Sequence, residues 1–270
     1  MMGADLMIDD MDGMLKLVYL ADDYGIDTIS AGNVIGFLME AYEKKLIDRD
    51  FLGGIDLTWG NVDASIAMLK KITMREGTGK LAALGVRPLS EKIGKDAALF
   101  AIHVKGHELA AWNVHADPPR GISYVSSNRG ACHLNGKDKE SQDRTALYDS
   151  LGLCLFARAA YPEDRIARLM TSITGNQWTP ESLSLAGERV FNLEKMFNYR
   201  EGFRRRDDVL PDRFYEQPLT MGPRKGAVLE REGFDSLLEE YYKKRGWSLK
   251  DTRPKKQKLR DLGLEFTIPA

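Results

Sequence analysis

Apolar residues return every three to four positions through most of this chain, and the segments with that rhythm are bracketed by helix start and stop residues. No other feature constrains the fold as much, because a helical rhythm laid on a sheet would turn much of its apolar surface to water. Residues 11–22 carry Met11, Met14, Leu15 and Val18 at helical spacing, and Gly25 follows as a C-terminal stop. A second helix is expected from near Ser30 through Val34, Leu38, Ala41 and Tyr42. The third is capped by Asn61, carries Asp63 in its first turn and buries Val62, Ile66, Leu69 and Ile72. Thr179-Pro180-Glu181 reads as cap, proline at the first helical position and acid, ahead of a face made by Leu183, Ala186, Val190, Leu193 and Phe197. Phe234, Leu237, Leu238, Tyr241 and Tyr242 mark a further helix, and Pro254 to Leu262 a short last one.

Strand signals are few. Ala98 to Val104 is the best candidate, ended by Gly106, and Gly136 to Ser141 reads as a polar loop. The expected fold class is therefore mainly α: multihelical, two packed helical subdomains with little β-structure. Residues 1–175 are expected to form one helical domain and 176–270 a C-terminal helical region, with the boundary in the Ser172–Thr179 stretch.

A chain of 270 residues can bury a substantial core. Its formal net charge of −1 offers no footprint for nucleic acid or an anionic membrane. The early run Leu15 to Ala21 is too short to span a bilayer, and no secretory signal is recognisable, so a cytoplasmic protein is expected. Only Cys132 and Cys154 are present, which rules out both a disulfide framework and a four-thiolate metal site within one chain.

Two short strings stand out from this background. Asp22-Asp23-Tyr24-Gly25-Ile26-Asp27 and Asp149-Ser150-Leu151-Gly152-Leu153-Cys154 share the pattern Asp-x-x-Gly-(Ile/Leu)-(Asp/Cys). Asp22, Asp23 and Asp149 fall at helix C-terminal ends, where the macrodipole disfavours negative charge. A solvated acid ahead of a capping glycine would explain one copy. The repetition points instead to a ligand with two equivalent halves: a carboxylate accepts two N–H bonds from a heterocycle in a flat fork, and the glycine lets the backbone approach a ring. A second constellation is Asn128-Arg129-Gly130-Ala131-Cys132-His133, where a buried loop histidine could give or take a proton near neutral pH. The alternative is a loop histidine bonded to backbone. His103 and His107 are four apart, but Gly106 and the missing glutamate argue against a helical zinc pair. Arg204-Arg205-Arg206-Asp207-Asp208 reads as a solvated, self-neutralising charge run.

Taken in order, DDYGIDTIS at 22–30, HADPPRGISYVSSNRGACHLNG at 115–136, DSLGLC at 149–154 and GERVFNLEKMFNYREGFRRRDDVLPDRF at 187–214 carry a resemblance over nearly the whole chain. The sequence resembles the C-terminal half, domains 2 and 3, of the tungsten-containing aldehyde ferredoxin oxidoreductase family. The resemblance implies a tungsten (or molybdenum) ion held by the dithiolenes of two pterins beside a 4Fe-4S cluster. It assigns Asp22, Gly25, Ile26 and Asp27 to one pterin, and Asp149, Gly152 and Leu153 to the other. It makes Cys154 a cluster ligand and His133 the residue for proton transfer as an aldehyde becomes a carboxylic acid. Trp112 falls near an aromatic pocket position of some relatives.

The family's N-terminal cofactor-covering domain and its Cys-x-x-Cys-x-x-x-Cys group have no counterpart in these residues. The expected function is the C-terminal portion of a tungstopterin aldehyde:ferredoxin oxidoreductase. It would work with an N-terminal half on another polypeptide, pass electrons to ferredoxin, form a homodimer in one possible assembly, and be inactive in isolation. The alternatives are a non-catalytic helical remnant or interaction protein of the same family, and a relative that reduces aromatic thioesters at low potential.

Overall fold

The computed structural model describes residues 1–94 and 96–268. The helical expectation holds: apart from one hairpin and an isolated bridge, the regular elements among the described residues are helices. They divide into two compact units.

The first unit comprises residues 1–117, 129–132 and 210–229. It holds α1 (Met11–Asp23), α2 (Thr28–Glu43), α3 (Val62–Met74), α4 (Thr78–Ala82) and α5 (Val86–Ile93), with α10 (Arg213–Glu216) contributed from later in the chain. Its core gathers Leu17 and Ala21 of α1, Val34, Ile35 and Leu38 of α2, and Met68, Leu69 and Ile72 of α3. Asn61 caps α3 as expected, accepting the Ala64 N–H at 3.0 Å. The buried face of α1 is rotated from the expected one. Gly13, Leu17 and Ala21 face the core, while Met11 and Leu15 are exposed.

The strand expected at Ala98–Val104 is mostly absent. Ala97–Phe100 forms a 3-10 turn, and only His103–Val104 (β1) pairs, antiparallel, with His107–Glu108 (β2). Ala97, Phe100, Ala101 and Val104 are the buried positions, and that three-to-four spacing satisfies a helical turn rather than a pleat. His103 and His107 thus sit on a hairpin, not a helix. His103 Nδ1 accepts the Gly106 N–H at 3.3 Å, and burial, reinforced by Arg87, holds the imidazole below its ordinary range.

The second unit comprises residues 118–128, 133–209 and 230–270. Its helices are α6 (Pro118–Ser126), α7 (Lys139–Ser150), α8 (Glu163–Thr174), α9 (Pro180–Arg200), α11 (Arg231–Arg245) and α12 (Lys256–Asp261). The polar stretch expected to be a loop at 136–141 is non-helical only as far as Asp138, and Lys139–Ser141 are the first turn of α7: Asp138 and Ser141 form a reciprocal capping box. Thr179 and Ser182 do the same for α9, with Pro180 in the first turn. The inward face of α9 is Leu183, Gly187, Phe191, Asn192, Lys195 and Met196, whereas Leu193 and Phe197 are exposed. α7 and α9 approach so closely at Gly187 that a Cβ there would lie 2.2 Å from the Asp143 carbonyl oxygen.

Charge in this unit is unusually internal. Asp208, expected in a solvated run, is 1% exposed. It pairs with Lys195 at 3.3 Å and accepts the Tyr242 hydroxyl at 2.7 Å; burial and then this carboxylate push the phenol far up. Arg245 is fully buried against Asp143, Gln142 and Tyr241, with Trp247 and Phe191 stacked nearby. The Arg204 guanidinium carbon sits over the Tyr199 ring, 3.8 Å from its centroid, so this part of the run is also packed rather than simply solvated.

Candidate functional site

The two repeated strings adopt the same backbone. In the first unit α1 ends at Asp23, Tyr24 is its cap, and Gly25 takes φ +67°. Gly25 N–H donates to the Asp22 carbonyl at 3.0 Å and Ile26 N–H to the Ala21 carbonyl at 2.8 Å. In the second unit α7 ends at Ser150, Leu151 is the cap, and Gly152 also takes φ +67°. Gly152 N–H donates to the Asp149 carbonyl at 3.1 Å and Leu153 N–H to the Tyr148 carbonyl at 2.9 Å. Each is a Schellman turn, in which the residue after the left-handed glycine packs back on its own core. Ile26 and Leu153 fill that place, each half-buried against the core of its unit.

The correspondence continues past the turn. Asp27, at φ −62° and ψ 124°, is the N-cap of α2, and Cys154, at φ −65° and ψ 122°, is the N-cap of a 3-10 helix over Leu155–Ala160. Asp27 Oδ1 accepts the Ser30 N–H at 2.7 Å, so part of this carboxylate serves the helix. Cys154 is a free, exposed thiol.

Asp22 and Asp149 therefore occupy one position on one motif: the penultimate helical residue, exposed, at the negative end of a helix with no basic residue in its last turn. Helix stability alone does not favour an acid there. Beyond the glycine's own chain neighbours, no protein atom lies within 4 Å of where a Cβ would stand on Gly25 or Gly152, so the outer surface of each turn is open. Exposed carboxylates beside accessible backbone suit the N–H edge of a flat heterocycle, and in that respect the residues fit a pterin at each turn.

One residue with no distinguishing sequence signal supports the first turn. Glu108 of β2 is buried, accepts the Ser30 hydroxyl at 2.9 Å and the Val86 N–H at 2.8 Å, and so ties the first turn of α2 to the start of α5. Its only sequence signal is an acid in a short segment, shared with many solvated glutamates.

His133, expected to be buried, is half-buried in the loop between α6 and α7, and its carbonyl accepts from Arg120 Nη1 at 3.1 Å. Among the described residues no group of three or more His, Cys, Asp or Glu side chains converges to hold a metal. A 4Fe-4S cluster takes four thiolates, and two cysteines cannot complete that set. The thiol at Cys154 fits one ligand of it. No helix among the described residues is long and apolar enough to cross a membrane.

Comparison with known proteins supplies the context for these turns. The sequence pattern of the family described as "Aldehyde ferredoxin oxidoreductase, domains 2 & 3" matches residues 1–264. A tungsten-containing aldehyde ferredoxin oxidoreductase of Pyrococcus furiosus is 34% identical over 97% of this chain and 47% of its own length. An aliphatic sulfonate oxidoreductase, WOR-like subunit, from the same organism is 32% identical over 97% of this chain and 44% of its own. The chain thus spans about half the length of these relatives. Among solved structures, the active site complex BamBC of benzoyl coenzyme A reductase matches with a TM-score of 0.74 and 22% identity, over 96% of this chain and 47% of that one; it shows a shared fold.

Proposed function

Because the chain belongs to the aldehyde ferredoxin oxidoreductase family, of which it carries domains 2 and 3, we propose that it is the cofactor-gripping C-terminal portion of a tungsten-dependent oxidoreductase that converts aldehydes to carboxylic acids. The observation that carries this reading is the pair of Schellman turns with matching hydrogen bonds and glycine φ, each presenting an exposed aspartate at the same position. Asp22 and Asp149 would accept N–H donors of one pterin each, Gly25 and Gly152 would leave the turn surface clear, and Ile26 and Leu153 would anchor the turns to their cores. Asp27 would share its second oxygen with the first pterin while its first holds α2.

When bound, the tungsten bis-pterin would supply the two-electron chemistry and the 4Fe-4S cluster a route for the electrons to ferredoxin; overall, aldehyde and water would give carboxylic acid, two protons and two electrons. This chain's own part is to orient and to handle protons. Cys154 would donate one thiolate to the cluster, the other three coming from an N-terminal portion on the same or another polypeptide. His133 would hold or release a proton through its imidazole, with its backbone fixed by Arg120.

The test is metal analysis of this chain assembled with the family's N-terminal portion, with tungsten, molybdenum and iron supplied together. The reading predicts tungsten or molybdenum together with iron, and selective loss of iron in Cys154→Ala. An assembled complex free of both tungsten and molybdenum overturns it.

A further inference from the structure

The exposed apolar residues near the end of α9 share a groove with the last described segment of the chain. Leu193 and Phe197 of α9 form it with Phe266 and Ile268, over a floor that includes buried Met196; its volume is about 690 Å3. Phe197 is 55% exposed and Phe266 73%, so two large rings stand open to water along one groove. Gly187 of α9 meets Asp143 and Leu147 of α7, and Leu183 clusters with Leu147, so the two helices run antiparallel. The groove therefore lies at the end of α9 remote from the Asp149 turn. Phe266 and Ile268 also lie beyond residue 264, where the family match ends.

Two arginines, Arg200 and Arg204, line the same groove. Arg204 is half-buried, and the partners of its guanidinium among the described residues are neutral: the Tyr199 ring, and the carbonyls of Tyr199 and Phe203, both bonded to Nη1. Asp207 accepts the Arg204 backbone N–H at 2.8 Å and lies 3.9 Å from Arg206. Asp251 accepts the Tyr199 hydroxyl at 3.2 Å and lies 3.9 Å from Arg253. Arg200 pairs with Glu201 at 3.0 Å, but both side chains are exposed, and such a pair holds weakly enough to open. A half-buried cation with neutral partners, beside apolar walls, suits a ligand that brings both an anion and an apolar body. A carboxylate meets the planar guanidinium with two oxygens, the fork geometry arginine favours. A neutral apolar molecule leaves the charge uncompensated, and a cation is repelled by both arginines. The volume falls in the range of small-molecule sites, roughly 300–1,000 Å3.

We propose that this groove binds a small amphipathic carboxylate, its head on Arg204 and Arg200 and its apolar tail between Phe197 and Phe266. The proposal uses no residue of the two turns and stands independently of the oxidoreductase reading. The test is calorimetric titration of the 270-residue chain with octanoate, octanol, octylammonium and acetate. In parallel, NMR of the chain labelled with carbon-13 at its methionine methyls reads the groove through Met196. Octanoate is expected to bind saturably and to shift the Met196 resonance. Octanol and octylammonium, which lack the anion, and acetate, which lacks the tail, should each bind at least tenfold more weakly. Phe266→Ser changes an exposed side chain and should weaken octanoate binding at least threefold. Arg204→Gln should weaken octanoate about tenfold and leave octanol unchanged. Arg200→Gln, at an exposed position, should weaken octanoate about threefold and decides the head-group contact if Arg204→Gln fails to fold. Absence of saturable octanoate binding, equal affinity for octanol or octylammonium, a Met196 resonance that does not move, or unchanged octanoate affinity in Phe266→Ser overturns the proposal. So does self-association of the chain that Phe266→Ser abolishes, because it would put a second copy on this face.

Discussion

Gly25 and Gly152 carry the positive φ on which both turns depend, and the space around each is empty. An alanine at either position meets no steric neighbour, so its cost is that of left-handed backbone alone, about 1–2 kcal/mol. Each Gly→Ala variant should lose that much in urea unfolding, and both by similar amounts because the two turns share their hydrogen bonds. A near-zero loss in one and a large loss in the other would show that the turns are not equivalent. Asp22 and Asp149 were legible in the sequence as an acid repeated at one distance from a glycine. Asp208 was not: nothing in Arg204-Arg205-Arg206-Asp207-Asp208 distinguishes the acid that pairs with buried Lys195 from the less buried residues beside it. Glu108 was silent for the same reason, because its partners Ser30 and Val86 are remote in sequence.

The existence of the long helices was readable because caps and apolar rhythm agree. Asn61, Thr179 and Pro180 mark the starts of α3 and α9 correctly. The phase of α1 and α9 was less readable, since apolar residues lie on more than one side of each, and close packing selects the side with small residues. Gly13 lies 2.7–2.8 Å, measured from a built Cβ, from Val62, and Gly187 lies as close to the α7 backbone. A Gly187→Ala substitution must push α7 from α9 and should cost about 1–3 kcal/mol or more of unfolding free energy; an unchanged unfolding midpoint would contradict the observed approach. Glu188, on the same helix, meets Lys258 at 2.5 Å and Lys139 at 3.1 Å. Burial alone would raise its carboxyl, but the two lysines outweigh burial and hold it below the ordinary 4.5. A depressed carboxyl stabilises fully above its unfolded value and loses that contribution as pH falls. The stability gap between the wild type and Glu188→Gln should therefore shrink as pH falls below 4.5. A gap constant with pH would show that the ion pairs do not form.

At the scale of the whole molecule, the chain carries two copies of one turn, one in each compact unit, and matches about half the length of tungsten-containing relatives. On the proposed reading each copy grips one pterin, which explains an acid at a position that helix stability does not favour. The measurement that tests this most directly is the number of pterins and tungsten atoms per chain in the assembly with the family's N-terminal portion. Wild type is predicted to hold two pterins and one tungsten. The paired substitution Asp22→Asn with Asp149→Asn, both exposed and so compatible with the fold, should lose both the pterins and the metal. Full pterin and tungsten content in that variant, or none in the wild type, would contradict the assignment of the two turns.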